Sequence, residues 1–242
     1  MDLPAIIGHR GAAGSAPENT LASFRRAAML HCRWVEFDVR LTADGHPIVF
    51  HDDTLERTTT GHGPVAAHRL DEIRRLDAGL WFGKPHRGEP VPTLTEALSL
   101  LLELGLQANI EIKAEAGREA ETARAALIEA RRIWPANRPP PLVSSFLRPA
   151  LAEARRVAPD WPRGLLDKAL PRDWPDLVRE LGCASINLDH RHVEPDVVNS
   201  LRQAGLPLLA YTVNDALRAR TLWQWGVRSI FTDRPELLAA AP

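Results

Sequence analysis

Eight short, β-rich apolar runs alternate with longer helical patterns along almost the whole chain, and this alternation limits the fold more than any other feature. The strand candidates are Ala5–Gly8, Trp34–Leu41, Gln107–Ile112, Leu142–Ser145, Arg163–Leu166, Ala184–Leu188, Pro207–Val213 and Arg228–Thr232. Helical spacing follows near 20–31, 94–104, 117–133, 148–158, 173–181, 194–204, 215–225 and 234–240. The helix at 94–104 carries its own boundaries. Thr93-Leu-Thr-Glu96 reads as a capping box, and Gly105 closes the far end. Farther on, Ala120, Ala123, Leu127, Ala130 and Ile133 keep helical spacing, with Glu and Arg on the other face. Eight βα units predict a closed (β/α)8 TIM barrel, because open doubly wound sheets usually carry about five to seven strands. The 242 residues fit one such barrel domain, for which about 250 is typical.

Between the second strand and its helix lies one long interruption, residues 42–93, rich in Gly, His, Pro and Thr. It opens with a hairpin-like piece, Asp44-Gly45 turning into Pro47–Phe50. Residues 53–90 hold six Lys/Arg and six Asp/Glu, so the segment is neutral rather than a charged tail. Loops of this length in compact domains are usually functional or form a small subdomain. In a barrel, a βα loop lies at the catalytic face, so 42–93 is expected to cover or line the site. Pro139-Pro-Pro141 reads as a stiff approach to the fourth strand, not a domain boundary.

Charge excludes some partners. Thirty basic residues against 31 acidic ones leave a formal charge of −1, which argues against a nucleic-acid or membrane-surface protein but not against a small anionic substrate. No run approaches the roughly 20 apolar residues of a membrane span. The short apolar start lacks the basic residues of a signal peptide, and Cys32 and Cys183 have no metal or redox spacing. The expectation is a cytoplasmic protein with reduced thiols and no stable membrane insertion; oligomeric state is left open.

Polar residues cluster where strands finish. His9-Arg10-Gly11 follows the first strand, and His51-Asp52 ends the Pro47–Phe50 extension. Within the second strand, Glu36 and Asp38 are two residues apart and therefore share a side. Glu111-Ile-Lys113 ends the next barrel strand in the same way. Three carboxylates converging on one rim repel: at about 4 Å and an effective dielectric near 20, each pair costs about 4 kcal/mol. Either protons or a cation must compensate, and an all-oxygen donor set favours a hard divalent ion, Mg²⁺ or Ca²⁺. Arg10 and Lys113 add fixed positive charge, while His9 and His51 add two proton carriers. A cation with Arg and Lys suits a phosphoryl group, and two imidazoles can divide proton removal and proton delivery. The combination reads as phosphodiester cleavage. Each piece has a plainer reading: a hydrogen-bonded structural His, a solvated Glu-x-Asp edge, or a surface Glu111–Lys113 pair. Their recurrence at successive strand ends favours the catalytic one. His190-Arg-His192 resembles a metal pair but is read as a polar loop, since no acidic partner adjoins it at strand spacing.

At these residues the sequence resembles the glycerophosphodiester phosphodiesterase family, in particular its short bacterial cytoplasmic members. The similarity runs nearly end to end. Its blocks are His9-Arg-Gly11, Pro17-Glu-Asn-Thr20, Glu36-Phe-Asp-Val39, His51-Asp-Asp-Thr-Leu55 with Arg57-Thr-Thr, Leu76-Asp-Ala-Gly79 and Pro92-Thr-Leu94. They continue through Asn109-Ile-Glu-Ile-Lys113, Ser145-Phe146, Thr212-Val-Asn214 and Thr232-Asp-Arg-Pro235. The resemblance implies a barrel with a small insertion after the second strand, here 42–93. It also implies metal ligands Glu36, Asp38 and Glu111, acid/base histidines His9 and His51, and phosphate contacts Arg10 and Lys113. Glu18 and Asn19 become supporting residues near the substrate, Glu18 orienting Arg10 or a histidine, with a helix-start role for Asn19-Thr20 as the alternative. Tyr211 stands where family members often carry Trp; an aromatic there would pack on the glycerol or alcohol part of the substrate. The implied reaction converts a small soluble glycerophosphodiester to sn-glycerol 3-phosphate and an alcohol, by attack of either a neighbouring substrate hydroxyl or water.

Two other readings remain at this stage. A barrel phosphodiesterase acting on a phospholipid or lysophospholipid head group would need an apolar rim, for which Leu80, Trp81 and Phe82 are the candidates. A non-catalytic phosphate-binding barrel would not need two proton carriers.

Overall fold

The computed structural model describes residues 1–238. Its strands are β1 (Ile6–Gly8), β2 (Trp34–Leu41), β3 (Pro47–Val49), β4 (Gln107–Ile112), β5 (Leu142–Ser145), β6 (Arg163–Asp167), β7 (Cys183–Asp189), β8 (Leu208–Tyr211) and β9 (Ser229–Thr232). Eight of them pair in parallel in the order β1-β9-β8-β7-β6-β5-β4-β2, and β1 returns to β2 through Gly8 and Val35. The sheet is therefore a closed TIM barrel. Each predicted barrel strand appears within two residues of its expected bounds.

The helices are α1 (Leu21–Met29), α2 (Leu70–Ile73), α3 (Leu94–Glu103), α4 (Glu119–Ile133), α5 (Arg148–Val157), α6 (Trp174–Leu181), α7 (Pro195–Gln203), α8 (Ala216–Trp225) and α9 (Pro235–Leu238). All eight predicted helices appear, and α2 is an addition inside the insertion. The end of the helix expected at 234–240 lies outside the described residues. The Thr93 capping box is made in full: Glu96 N donates to Thr93 Oγ1 at 3.2 Å and Thr93 N to Glu96 Oε2 at 2.8 Å.

Alternation along β2 and β4 separates two environments. Val35, Phe37, Val39, Ala108, Ile110 and Ile112 face outward and pack under α3 and α4 against Leu98, Leu101 and Leu127. Trp34, Ile7, Leu142, Leu209 and Phe231 come from strands that are not all neighbours, yet form one cluster, so they meet inside the barrel. Asn109 and Ser144 are also buried, joined by a 2.9 Å hydrogen bond from Nδ2 to Oγ. The catalytic-face ends of the strands are left for charged residues.

Segment 42–93 begins as expected. β3 runs antiparallel to β2, and Gly45 at the turn has φ +79°, a conformation that favours glycine. Ile48, Phe50, Leu55, Val65, Ile73, Ala78 and Val91 then form a small apolar core of its own. That core anchors His51 and the residues after it beside the barrel mouth.

Candidate active site

The His9-Arg10-Gly11 loop turns sharply over α1. A Cβ on Gly8 would lie 2.2 Å from the Gly11 carbonyl oxygen, and one on Gly11 (φ +90°) 2.4 Å from Ser23 Oγ. Ser23 ties the turn by accepting from Ala12 N and donating to the Arg10 carbonyl, both at 2.8 Å. Arg10 is itself left-handed, with φ 49°, and its backbone N donates to Glu36 Oε2 at 3.0 Å. Backbone shape thus sets the loop directly over the acidic strand.

Glu36, Asp38 and Glu111 are all buried, and each offers an oxygen within 4.8 Å of the others. Register explains the convergence: β2 and β4 place Asp38 beside Glu111 and Glu36 beside Asn109. Burial, reinforced by Asp38 and Glu111, raises the Glu36 carboxyl well above its ordinary range. Burial also raises Glu111, with Lys113 opposing and Asp38 adding to the rise. Asp38 goes the other way. Burial works against its charge, but Lys113 and Arg10 outweigh it and hold the carboxyl low. Asn19 fixes its orientation, donating from Nδ2 to Asp38 Oδ2 at 2.8 Å and accepting from Asp38 N at 3.2 Å.

This donor set fits a hard cation. Glu36 Oε1 is buried and has no hydrogen-bond donor among the described residues, which is costly without an ion or proton. Glu111 Oε1 lies 2.6 Å from Lys113 Nζ, close enough for an ion pair but outside hydrogen-bond alignment. Three buried carboxylate oxygens at this spacing match the all-oxygen preference of Mg²⁺ and Ca²⁺.

Both histidines are backed by an aspartate. His9 Nδ1 lies 2.6 Å from Asp233 Oδ1, and His51 Nδ1 lies 2.6 Å from Asp52 Oδ1. A carboxylate at Nδ1 selects the tautomer protonated there, so Nε2 is the nitrogen free to exchange a proton. His9 Nε2 is 3.9 Å from Glu36 Oε2, beside the acidic cluster. Burial lowers the His51 imidazole below its ordinary value; Asp38 and Asp52 oppose that shift, and Arg10 and Lys113 reinforce it.

One cavity of about 560 Å³ brings most of the predicted residues together: His9, Arg10, Glu36, His51, Glu111, Lys113 and Tyr211 all line it. Asp38 lies in the same cluster but does not line the cavity wall. Glu18, expected near the substrate, does not line the cavity; it accepts from Arg10 Nη1 at 2.6 Å. Asn19 and Thr20 serve both expected roles: Asn19 holds Asp38, and Thr20 Oγ1 caps α1 by accepting from Ser23 N. Tyr211 stands edge-on to Phe146 at 5.7 Å, and its hydroxyl is already committed to the Asp167 carbonyl at 2.8 Å. Lys113 Nζ sits 5.3 Å from the Phe146 ring centre.

Several residues at the site were not anticipated. Asp233, Asp52 and Arg57 brace the two histidines, while Phe146, Asp189, His190 and Arg191 line the cavity. His190 and Arg191, read from sequence as a polar loop, form a short 3-10 turn on that wall. Asp52, Arg57, Phe146 and Asp233 all fall within the family's motif blocks, but only Asp52, adjacent to His51, had a local hint of its role; that of Asp233 emerges once the barrel closes. Among the candidate rim residues, Phe82 packs edge-on against Trp81 and His86, while Trp81 itself is exposed. No helix among the described residues is long and apolar enough to cross a membrane.

Comparison with known proteins identifies the family. A profile of the glycerophosphoryl diester phosphodiesterase family matches residues 9–237. A glycerophosphodiester phosphodiesterase of Caldanaerobacter subterraneus subsp. tengcongensis is 35% identical over 241 residues, covering 96% of this chain and 95% of the relative. The solved structure of an Oleispira antarctica phosphodiesterase, in complex with the product sn-glycerol-3-phosphate, matches with a TM-score of 0.96 and 38% identity, covering 99% of this chain and 96% of that one. A glycerophosphodiester phosphodiesterase from Agrobacterium tumefaciens matches at 0.78 and 30% identity, covering 99% and 100%. With the strand-end chemistry and these relatives in agreement, the chain belongs to the glycerophosphoryl diester phosphodiesterase family, whose members here are phosphoric diester hydrolases on a TIM barrel.

Proposed function

We propose that this chain hydrolyses small soluble glycerophosphodiesters to sn-glycerol 3-phosphate and an alcohol, with His9 and His51 moving the protons. The carrying observation is a single cavity that joins three buried carboxylates to two imidazoles, each backed by its own aspartate. The product bound by the Oleispira antarctica relative supports the same substrate class.

Arg10 and Lys113 hold the phosphoryl oxygens and offset their charge as attack proceeds. One imidazole accepts the nucleophile's proton at Nε2 as the new P–O bond forms. The other donates a proton from Nε2 to the departing alcohol oxygen as the old P–O bond breaks. Protons therefore balance over the cycle, and Asp52 and Asp233 keep both rings oriented through it. Glu36, Asp38 and Glu111 would hold a divalent cation, Mg²⁺ or Ca²⁺, whose charge would offset that of the phosphoryl group. Phe146 and Tyr211 offer an aromatic wall for the carbon skeleton. Cys32 and Cys183 form no disulfide, and burial pushes their thiols up to about 12 and about 11, which leaves both as poor nucleophiles at neutral pH.

The test is a panel of soluble glycerophosphodiesters assayed with added divalent ion and again after chelation. Release of sn-glycerol 3-phosphate, lost on chelation and restored by Mg²⁺ or Ca²⁺, is the expected result. Undiminished release from protein shown by elemental analysis to be metal-free would overturn the cation assignment.

A further inference from the structure

Arg57 belongs to the inserted segment and does not line the cavity, yet its guanidinium spends every nitrogen on two carboxylates of the site. Nε and Nη2 donate to Asp52 Oδ2 and Oδ1 at 2.5 and 2.9 Å. Nη1 and Nη2 donate to Glu18 Oε2 and Oε1 at 2.7 Å each. Asp52 is the carboxylate on His51 Nδ1, and Glu18 the one on Arg10 Nη1. A continuous series, His51–Asp52–Arg57–Glu18–Arg10, therefore runs behind the cavity.

We propose that Arg57 is a positioning residue that locks the proton-transferring imidazole of His51 to the phosphate-binding guanidinium of Arg10. The inference rests on the roles assigned above to those two residues. Exposed ion pairs generally contribute little, but a planar fork gripping two carboxylates fixes angles as well as distances. The backbone under Arg57 is also held. Leu55 is fully buried in the insertion's core, and its carbonyl accepts from Thr59 Oγ1 at 2.7 Å and Thr59 N at 3.1 Å. A rigid turn thus presents the fork. Asp52, which burial would raise, is held down to about 2 by Arg57 and His51, so it stays a charged partner for the imidazole. Lysine cannot replace this arrangement, because one ammonium lacks the fork that serves two carboxylates at once.

Steady-state kinetics on a soluble glycerophosphodiester with saturating Mg²⁺ tests the inference, using Arg57→Ala, Arg57→Lys and His51→Ala. Arg57→Ala is expected to lower kcat about 10- to 100-fold, with KM within about threefold and the melting temperature nearly unchanged. Arg57→Lys should recover only part of kcat, and added methylguanidinium should raise turnover of Arg57→Ala several-fold. Turnover of Arg57→Ala within twofold of the parent would overturn the inference. So would a loss that follows a fall in melting temperature and that methylguanidinium does not recover. If His51→Ala keeps parental kcat, the catalytic reading itself fails; if it is inactive while Arg57→Ala is unaffected, only the role of Arg57 fails.

Discussion

His9 Nδ1 and Asp233 Oδ1 lie 2.6 Å apart although they are 224 positions apart in the chain, so the contact that orients the His9 imidazole exists only because the last strand closes on the first. Asn214 holds the same aspartate, donating from Nδ2 to Asp233 Oδ2 at 2.6 Å and accepting from Asp233 N at 2.9 Å. Asp233→Asn keeps the shape but removes the charge that selects the tautomer. The expected outcome is a kcat about 10²-fold lower with an intact fold by circular dichroism. Turnover within twofold of the parent would show that Asp233 is a bystander.

The acidic cluster makes metal-free stability depend on pH. Glu36 and Glu111 have folded-state carboxyls raised above their unfolded value near 4.3. In that window the folded chain holds more protons than the unfolded one, so stability falls as pH rises through it. Asp38 is held low, so its favourable contribution is complete above its unfolded value and is lost only in strong acid. A divalent ion substitutes for the protons. Compared with a Glu36→Gln variant, chelated parent protein should therefore lose melting temperature as pH rises above the unfolded carboxyl value, a comparison that cancels the opposite trend of the lowered His51 and His190 imidazoles. Mg²⁺ or Ca²⁺ at a hundred times its Kd should restore about 2.7 kcal/mol at neutral pH, roughly 5–10 °C. Equal melting temperatures with and without ion at pH 7.5 would refute the cluster as a cation site.

Asp52 also sets the working pH of His51. Burial lowers that imidazole, and the Asp52 hydrogen bond pulls it partly back up. Removing the bond leaves burial with less opposition. In Asp52→Asn, the limb of the kcat/KM profile governed by His51 should move to lower pH. A limb moving to higher pH would contradict the sign.

Tyr211 is expected to matter more for stability than for turnover. Its hydroxyl satisfies the Asp167 carbonyl, so Tyr211→Phe should cost about 1 kcal/mol, seen as a melting temperature lower by roughly 2–4 °C. The aromatic wall with Phe146 remains, and kcat/KM should stay within about threefold. A tenfold loss would instead assign the hydroxyl to the substrate.

What the sequence revealed follows a physical division. The barrel strands are short, apolar and bounded by helices with clear spacing, so periodicity located them; Glu36, Asp38 and Glu111 were singled out by the family motifs that contain them, and strand alternation explains why Glu36 and Asp38 share a side. The interior of 42–93 was not legible. α2 and two 3-10 turns are too short to show a period, and their core is assembled from scattered residues such as Leu55 and Val91. Arg57 fell within a motif block, but its role was hidden, since its partners Glu18 and Asp52 come from two different loops. His190 and Arg191 looked like an ordinary polar loop because nothing local shows that β7 aims them at the cavity.

The central claim is that two aspartate-backed imidazoles transfer the protons of phosphodiester cleavage, and one measurement addresses it directly. Release of sn-glycerol 3-phosphate from a soluble glycerophosphodiester should be followed under single-turnover conditions with the parent, His9→Ala and His51→Ala, all loaded with Mg²⁺ and checked for folding. The account predicts turnover by the parent and a loss of at least about 10³-fold in each variant; near-parental release by either one would contradict it.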